Sequence, residues 1–161
     1  MAPWVGKENS SMGKLYFSAL LAACLLWACT EKVRGPSDSV SDPSLDCPYS
    51  PNCRSTLALD PDRRIEPMQL KPDWQKNSER IPPLLASIPG SRVVQNNGTL
   101  IHAECKSRIF GFVDDLILKV NLQTGRIDVR SAARTGYYDF GVNKRRIHRL
   151  RQALKDRGII E

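Results

Sequence analysis

His102 and Glu104 stand two residues apart in Ile101-His102-Ala103-Glu104, and the pair Asp114-Asp115 follows shortly after. An imidazole beside a carboxylate can act as a general base. Arg130, Arg134, Asn143 and Arg146 come next in the chain. Guanidinium groups suit planar anions such as carboxylate and phosphate. These eight residues form the candidate ligand-binding site, and His102 with Asp114 or Asp115 is what a hydrolase or transferase would use. The same residues also read as structure. Glu104 and Asp114 facing Arg130 and Arg134 would form a cross-strand ion-pair ladder, each pair contributing a few tenths to ~1 kcal/mol. Asp139 and Asn143 would then cap a helix and hold the turn at Gly141. The ladder is the preferred reading. The chain carries no Gly-rich phosphate loop, no Gly-x-Ser-x-Gly elbow and no His-Glu-x-x-His. A Ser131–His102 pair would depend on the accident of folding. With only two His and five Cys, neither a metal site nor a cofactor is expected.

Elements with two different periods must position these residues. Thr99–Ser107 alternates, with Ile101, Ala103 and Cys105 on one side and His102, Glu104 and Lys106 on the other. Ser91–Asn96, Ile109–Asn121 and Arg126–Ala132 read as three more strands. Asn97-Gly98 predicts a type I′ hairpin turn, and Thr124-Gly125 a second turn. Ile81, Leu84, Leu85 and Ile88 recur at helical spacing, with Pro82 and Pro83 confined to the first turn and Pro89-Gly90 as the stop. Ile147, Leu150 and Leu154 form the stripe of a second helix that starts after Asp139 and ends at Gly158. Residues 54–77 read as an irregular wrapping segment anchored by Trp74. The expected fold is α+β: a four-stranded antiparallel meander packed against two helices, in two layers. Asp114 or Asp115 then shares a face with His102 and Glu104, and Arg130 joins them if its register matches.

The 161 residues are 41% apolar and 25% charged, with a net charge of +7. That excludes a disordered polyelectrolyte, a collagen-like repeat and a polytopic membrane protein. The start of the chain differs from the rest. After Lys7 and Lys14, residues 15–29 carry no charge. Such a run is too short to span a bilayer, which takes ~20 residues, and suits the apolar region of a secretory signal. It ends in Leu26-Trp27-Ala28-Cys29, with Leu21-Ala22-Ala23-Cys24 just before it. Both look like bacterial lipoprotein acylation sites. Cys29 is preferred over Cys24 because it leaves a full-length apolar run and is followed directly by polar Thr30-Glu31-Lys32. Several palmitate-type chains on one cysteine suffice for stable anchoring. An uncleaved anchor or a plain secretory signal are the alternatives. The chain thus divides into a lipoprotein-type signal peptide (1–28), a Ser/Asp/Pro-rich tether (29–46) reaching ~20–25 Å as a coil, and one domain (47–161). Its expected place is the cell envelope, lipid-anchored and facing the periplasm. Thr30 resembles an outer-membrane sorting signal.

Three cysteines remain in the domain. Cys47 and Cys53 flank a short loop with two prolines, and an oxidising compartment would let them pair. Two reduced structural thiols, or metal or redox chemistry, are the alternatives. Cys105 lies on the apolar side of its strand and reads as a buried inert thiol.

Four strings occur together and in order: Cys47-Pro48-Tyr49-Ser50-Pro51-Asn52-Cys53, Ile101-His102-Ala103-Glu104, Phe112-Val113-Asp114-Asp115, and Val129–Gly136 continuing through Asp139, Gly141-Val142-Asn143 and Arg145-Arg146-Ile147. This combination resembles domain of unknown function family 1499, found in bacterial envelope proteins and plastid-bearing eukaryotes. The resemblance covers about residues 47–154, and Tyr137-Tyr138 departs from it where small or polar residues are usual. It implies one intact domain and no particular reaction.

The last helix gathers Lys144, Arg145, Arg146, Arg149, Arg151, Lys155 and Arg157. Three of these crowd its first turns, where the helix dipole favours acids. They read either as a solvated face or as a contact for anionic phospholipid, lipopolysaccharide or peptidoglycan. Export and the lack of stacking aromatics along the helix argue against nucleic acid. The expected function is therefore a non-enzymatic, membrane-anchored envelope lipoprotein that binds an anionic envelope component or a protein partner. An envelope hydrolase or transferase is the alternative.

Overall fold

The computed structural model describes residues 44–161. The signal segment, both acylation candidates and most of the tether lie outside the described residues. Four strands form the expected antiparallel meander: β3 (Ser91–Asn96), β4 (Leu100–Lys106), β5 (Val113–Val120) and β6 (Arg126–Ala133). The sheet has six strands rather than four. β1 (Cys53–Ser55) and β2 (Met68–Gln69) both pair with the outer edge of β6, at its two ends, giving the order β1-β6-β5-β4-β3. Both lie in or beside the segment expected to be irregular. At two or three residues they are too short to show an alternation.

Helices follow the same logic. α2 (Ile81–Ala86) starts with its two prolines in the first turn and buries Ile81, Leu84 and Leu85. A single helical turn, α1 (Trp74–Ser78), precedes it, and Trp74 packs half-buried on the core. α3 (Val142–Asp156) buries Ile147, Leu150 and Leu154. Their apolar faces meet Ile101, Ala103, Leu116, Leu118, Ile127 and Val129 from one face of the sheet, which makes the two-layer core. Past the expected helix end at Gly158, the tail Ile159-Ile160 is buried in this core too, and Ile160 bridges to Leu70.

Two turns differ from expectation. β3 and β4 are joined by three residues rather than by a two-residue type I′ turn, which needs positive φ at both central positions. Only Gly98 has one (φ 89°). The Asn97 carboxamide oxygen instead accepts bonds from the Thr99 and Leu100 amides. β5 starts at Val113, not Ile109. Ile109–Phe112 form a loop closed by the Gly111 amide on the Ser107 carbonyl and the Phe112 amide on the Ser107 hydroxyl.

Cys47 and Cys53 are joined by a disulfide, six residues apart in sequence. A loop this small gains modestly from closure, about 2 kcal/mol on the chain-entropy account. Replacing both cysteines by serine should therefore lower the free energy of urea unfolding by about 2 kcal/mol while leaving the far-ultraviolet circular dichroism of the domain intact.

Candidate functional site

Strand register sorts the eight candidate residues into two groups. Glu104 pairs with Asp115, and Cys105 with Asp114. Adjacent residues of a strand point to opposite faces, so Asp115 shares a face with His102 and Glu104, while Asp114 faces the helices.

On the face away from the helices, His102 Nε2 lies 2.7 Å from Asp115 Oδ1. Arg134 donates to both Asp115 oxygens, at 2.7 and 3.0 Å, and to Glu104 Oε1 at 2.8 Å. Arg92 donates to the other Glu104 oxygen at 2.8 Å. Burial pushes the Asp115 carboxyl up. The bonds from His102 and Arg134 outweigh it and hold the carboxyl down at about 2. Glu104 is held below the usual carboxylate range, first by Arg92 and, against the effect of burial, by Arg134. The expected ladder is thus present with a different pairing: Arg134 takes Glu104 and Asp115. Arg130 sits opposite Ile117 on this face and forms no ion pair among the described residues, with its Nε buried and without an acceptor. His102 is only 2% exposed. A substrate proton would reach it only after the arginine–carboxylate cluster moved.

On the helix side a second polar cluster is buried. Arg146 donates to Asp114 Oδ2 at 2.6 Å and to Ser131 Oγ at 2.9 Å. The Ser131 hydroxyl and Arg146 both donate to Asn143 Oδ1, at 2.6 and 2.5 Å. Asn143 Nδ2 donates to the Asn52 carbonyl at 2.8 Å, tying the disulfide loop to the helix. Gly141 is the N-cap residue of α3; Asp139, two residues before it, accepts the Gly141 and Asn143 amides at 3.0 and 2.7 Å, while Asn143, expected as a second cap, is instead buried within the helix. Ser131 and His102 face opposite sides of the sheet, so they do not meet.

A third feature was legible only in part. Lys106, Arg145, Arg146 and Arg149 line a cleft of about 250 Å³, together with Ser91, Cys105, Ile88, Pro89 and Val142. Lys106 ends β4, and the three arginines come from adjoining positions at the start of α3. The wall opposite is the turn before β3, where Gly90 takes φ 80° and a Cβ would lie 2.5 Å from the Lys106 carbonyl oxygen. Only glycine fits there. Lys106, Arg145 and Arg149 have no acidic partner among the described residues. Burial pushes the Cys105 thiol up, so it adds no negative charge. The arginines belong to the basic run in the sequence. Ser91 carried no signal, since it joins the cleft only through the register that sets it opposite Cys105. No group of three or more His, Cys, Asp or Glu suited to a metal occurs among the described residues.

Two predictions follow from the polar clusters. Asp115 has a folded-state pKa below its unfolded value, so its contribution is complete above about pH 4 and is lost as pH falls through about 2. The shift corresponds to about 2 kcal/mol. In urea titrations Asp115→Asn should lose about that much at pH 7 and show a weaker fall between pH 4 and 2 than the parent. Asn143→Ala takes the acceptor from the Ser131 hydroxyl and from one Arg146 nitrogen, and leaves the Asn52 carbonyl with the Ala133 amide as its one remaining donor. It should cost about 1–3 kcal/mol in the same assay at neutral pH.

A family model described as "Protein of unknown function (DUF1499)" matches residues 45–154, nearly all of the described domain. No curated protein and no solved structure matches the chain. With every described strand and helix inside the matched span except the last two residues of α3, the chain belongs to the DUF1499 family.

Proposed function

We propose that this chain is a membrane-anchored envelope lipoprotein whose domain binds an anionic envelope component. The observation that supports this most is the cleft at the start of α3. Its cations converge from two elements, and Lys106, Arg145 and Arg149 are not neutralised by acids of the described chain. Arg146 is already paired with Asp114 and serves as a fixed wall. The Ser91 hydroxyl adds a neutral donor. A phosphate or carboxylate group entering here would meet cations that have no acidic partner among the described residues. The His102 cluster has the opposite character, because its charges are already matched by one another.

The test uses the full chain and glycerol phosphate as a soluble probe, with chemical-shift changes at the Lys106, Val142 and Arg145 amides as the readout. Arg145→Glu combined with Arg149→Glu should weaken binding at least about tenfold. Raising the salt concentration should weaken the parent as well, since exposed charges are screened. Unchanged binding in the double variant would remove the cleft from the proposal. Co-sedimentation with purified peptidoglycan that exceeds binding of the phosphate probe would assign the anion to the cell wall instead.

A further inference from the structure

The β4–β5 loop carries Ile109, Phe110 and Phe112, which are 84, 75 and 56% exposed. The β6–α3 loop carries Tyr137, Tyr138 and Phe140, at 72, 62 and 79%. Exposed apolar residues scattered singly are ordinary, but a concentration of large ones marks a contact surface. These six leave the same end of the sheet. β5 and β6 are antiparallel neighbours with Asp114 opposite Ala133, and the Arg134 amide bonds the Val113 carbonyl at 3.3 Å. Within each loop the rings pair: Phe110 with Phe112 at 5.7 Å, Tyr138 with Phe140 edge-on at 5.2 Å.

Neither loop is loosely built. The Ser107 bonds close the first, and Asp139 clamps the second by accepting the Gly141 and Asn143 amides. Phe140 is held at φ 51°, the left-handed region that residues with a Cβ seldom adopt, with its ring exposed. The charge around the rings has one sign. Lys106 and Arg108 flank the first loop, Lys144 and Arg145 follow the second, and all four are exposed. Asp139 is the one acid within residues 106–112 and 135–145, and its carboxylate is occupied by those two amides. The cationic cleft, with Lys106 and Val142 in its wall, opens beside both loops.

We infer that this end of the domain docks on an anionic phospholipid surface, with the aromatic rings of both loops entering the boundary between headgroups and acyl chains and the cleft taking a lipid phosphate. The inference rests on the anion-binding reading above and names its source. Tyrosine favours this depth of a membrane because its ring is apolar and its hydroxyl polar, and the phenylalanines add apolar area. A buried apolar face and basic residues together set the strength of such docking. The disulfide loop also lies toward this end, since Cys47 is bonded to Cys53 and Cys53 pairs with Ala132 near the end of β6.

The experiment places an indole at the tip by Phe110→Trp in the full chain. Its emission is read as the difference from the parent, in vesicles of phosphatidylglycerol and phosphatidylcholine whose acyl chains are brominated. The expected result is quenching of the difference signal by about twofold or more, little quenching in brominated phosphatidylcholine alone, and loss of quenching when Arg145→Glu and Arg149→Glu are added. An unquenched indole would overturn the docking. So would quenching that is equal on both lipids and indifferent to the arginine changes. Binding of glycerol phosphate that survives in a chain with an unquenched indole would leave the anion-binding reading standing, whereas loss of both would end both. Circular dichroism of each variant guards against misfolding, and all three positions are exposed.

Discussion

The position of α3 depends on one buried carboxamide. Asn143 is fully buried and its side chain takes bonds from Ser131 and Arg146 while giving one to Asn52. In a low-dielectric interior such a hub is strong when every member is satisfied and costly when one is not. Through it the first turn of α3 is fastened to β6, to the disulfide loop and, by way of Arg146 and Asp114, to β5. The basic residues on that turn are consequently fixed in direction. Three cations at a helix start would ordinarily oppose the dipole. Here Arg146 is held by a buried aspartate, Arg145 lines the cleft, and Lys144 lies in a separate hollow beside Glu66 and Ile147.

Two polar clusters therefore do different work. The Arg134–Asp115–His102–Glu104 group binds β4, β5 and the strand end of β6 together across the sheet. With Arg92 counted, its two carboxylates meet two guanidinium groups. The Asn143 group binds the helix layer to the sheet. Between them the end of the domain that carries the disulfide, the cleft and the aromatic loops is held from both faces, and a surface formed only of loops acquires a defined shape.

Much of this was legible in the sequence, and the omissions have physical causes. Alternation through Ile101, Ala103 and Cys105 placed His102 and Glu104 together because a strand has a strict period of two. It did not decide between Asp114 and Asp115, since adjacent residues at a strand start are separated only by knowing the register. Ile109–Phe112 read as strand because Ile and Phe favour extended backbone, yet the residues that decide the matter are Ser107 and Gly111, which close a loop. β1 and β2 were invisible because two or three residues cannot display a period. The basic run on α3 was plain, but its division into a buried arginine and outward ones was not, as Asp114 lies far from Arg146 in the chain. Ser91 and Lys106 reach the same cleft only through strand pairing.

The outer side of β6 is covered by two separate pieces, β1 and β2, with the turn-rich residues 56–67 between them. The opposite margin, β3, is interrupted by a register shift between Val93 and Gln95. Neither border offers a long straight row of free amides and carbonyls onto which another molecule's strand could zip. Many copies could thus be crowded side by side without polymerising through their sheets.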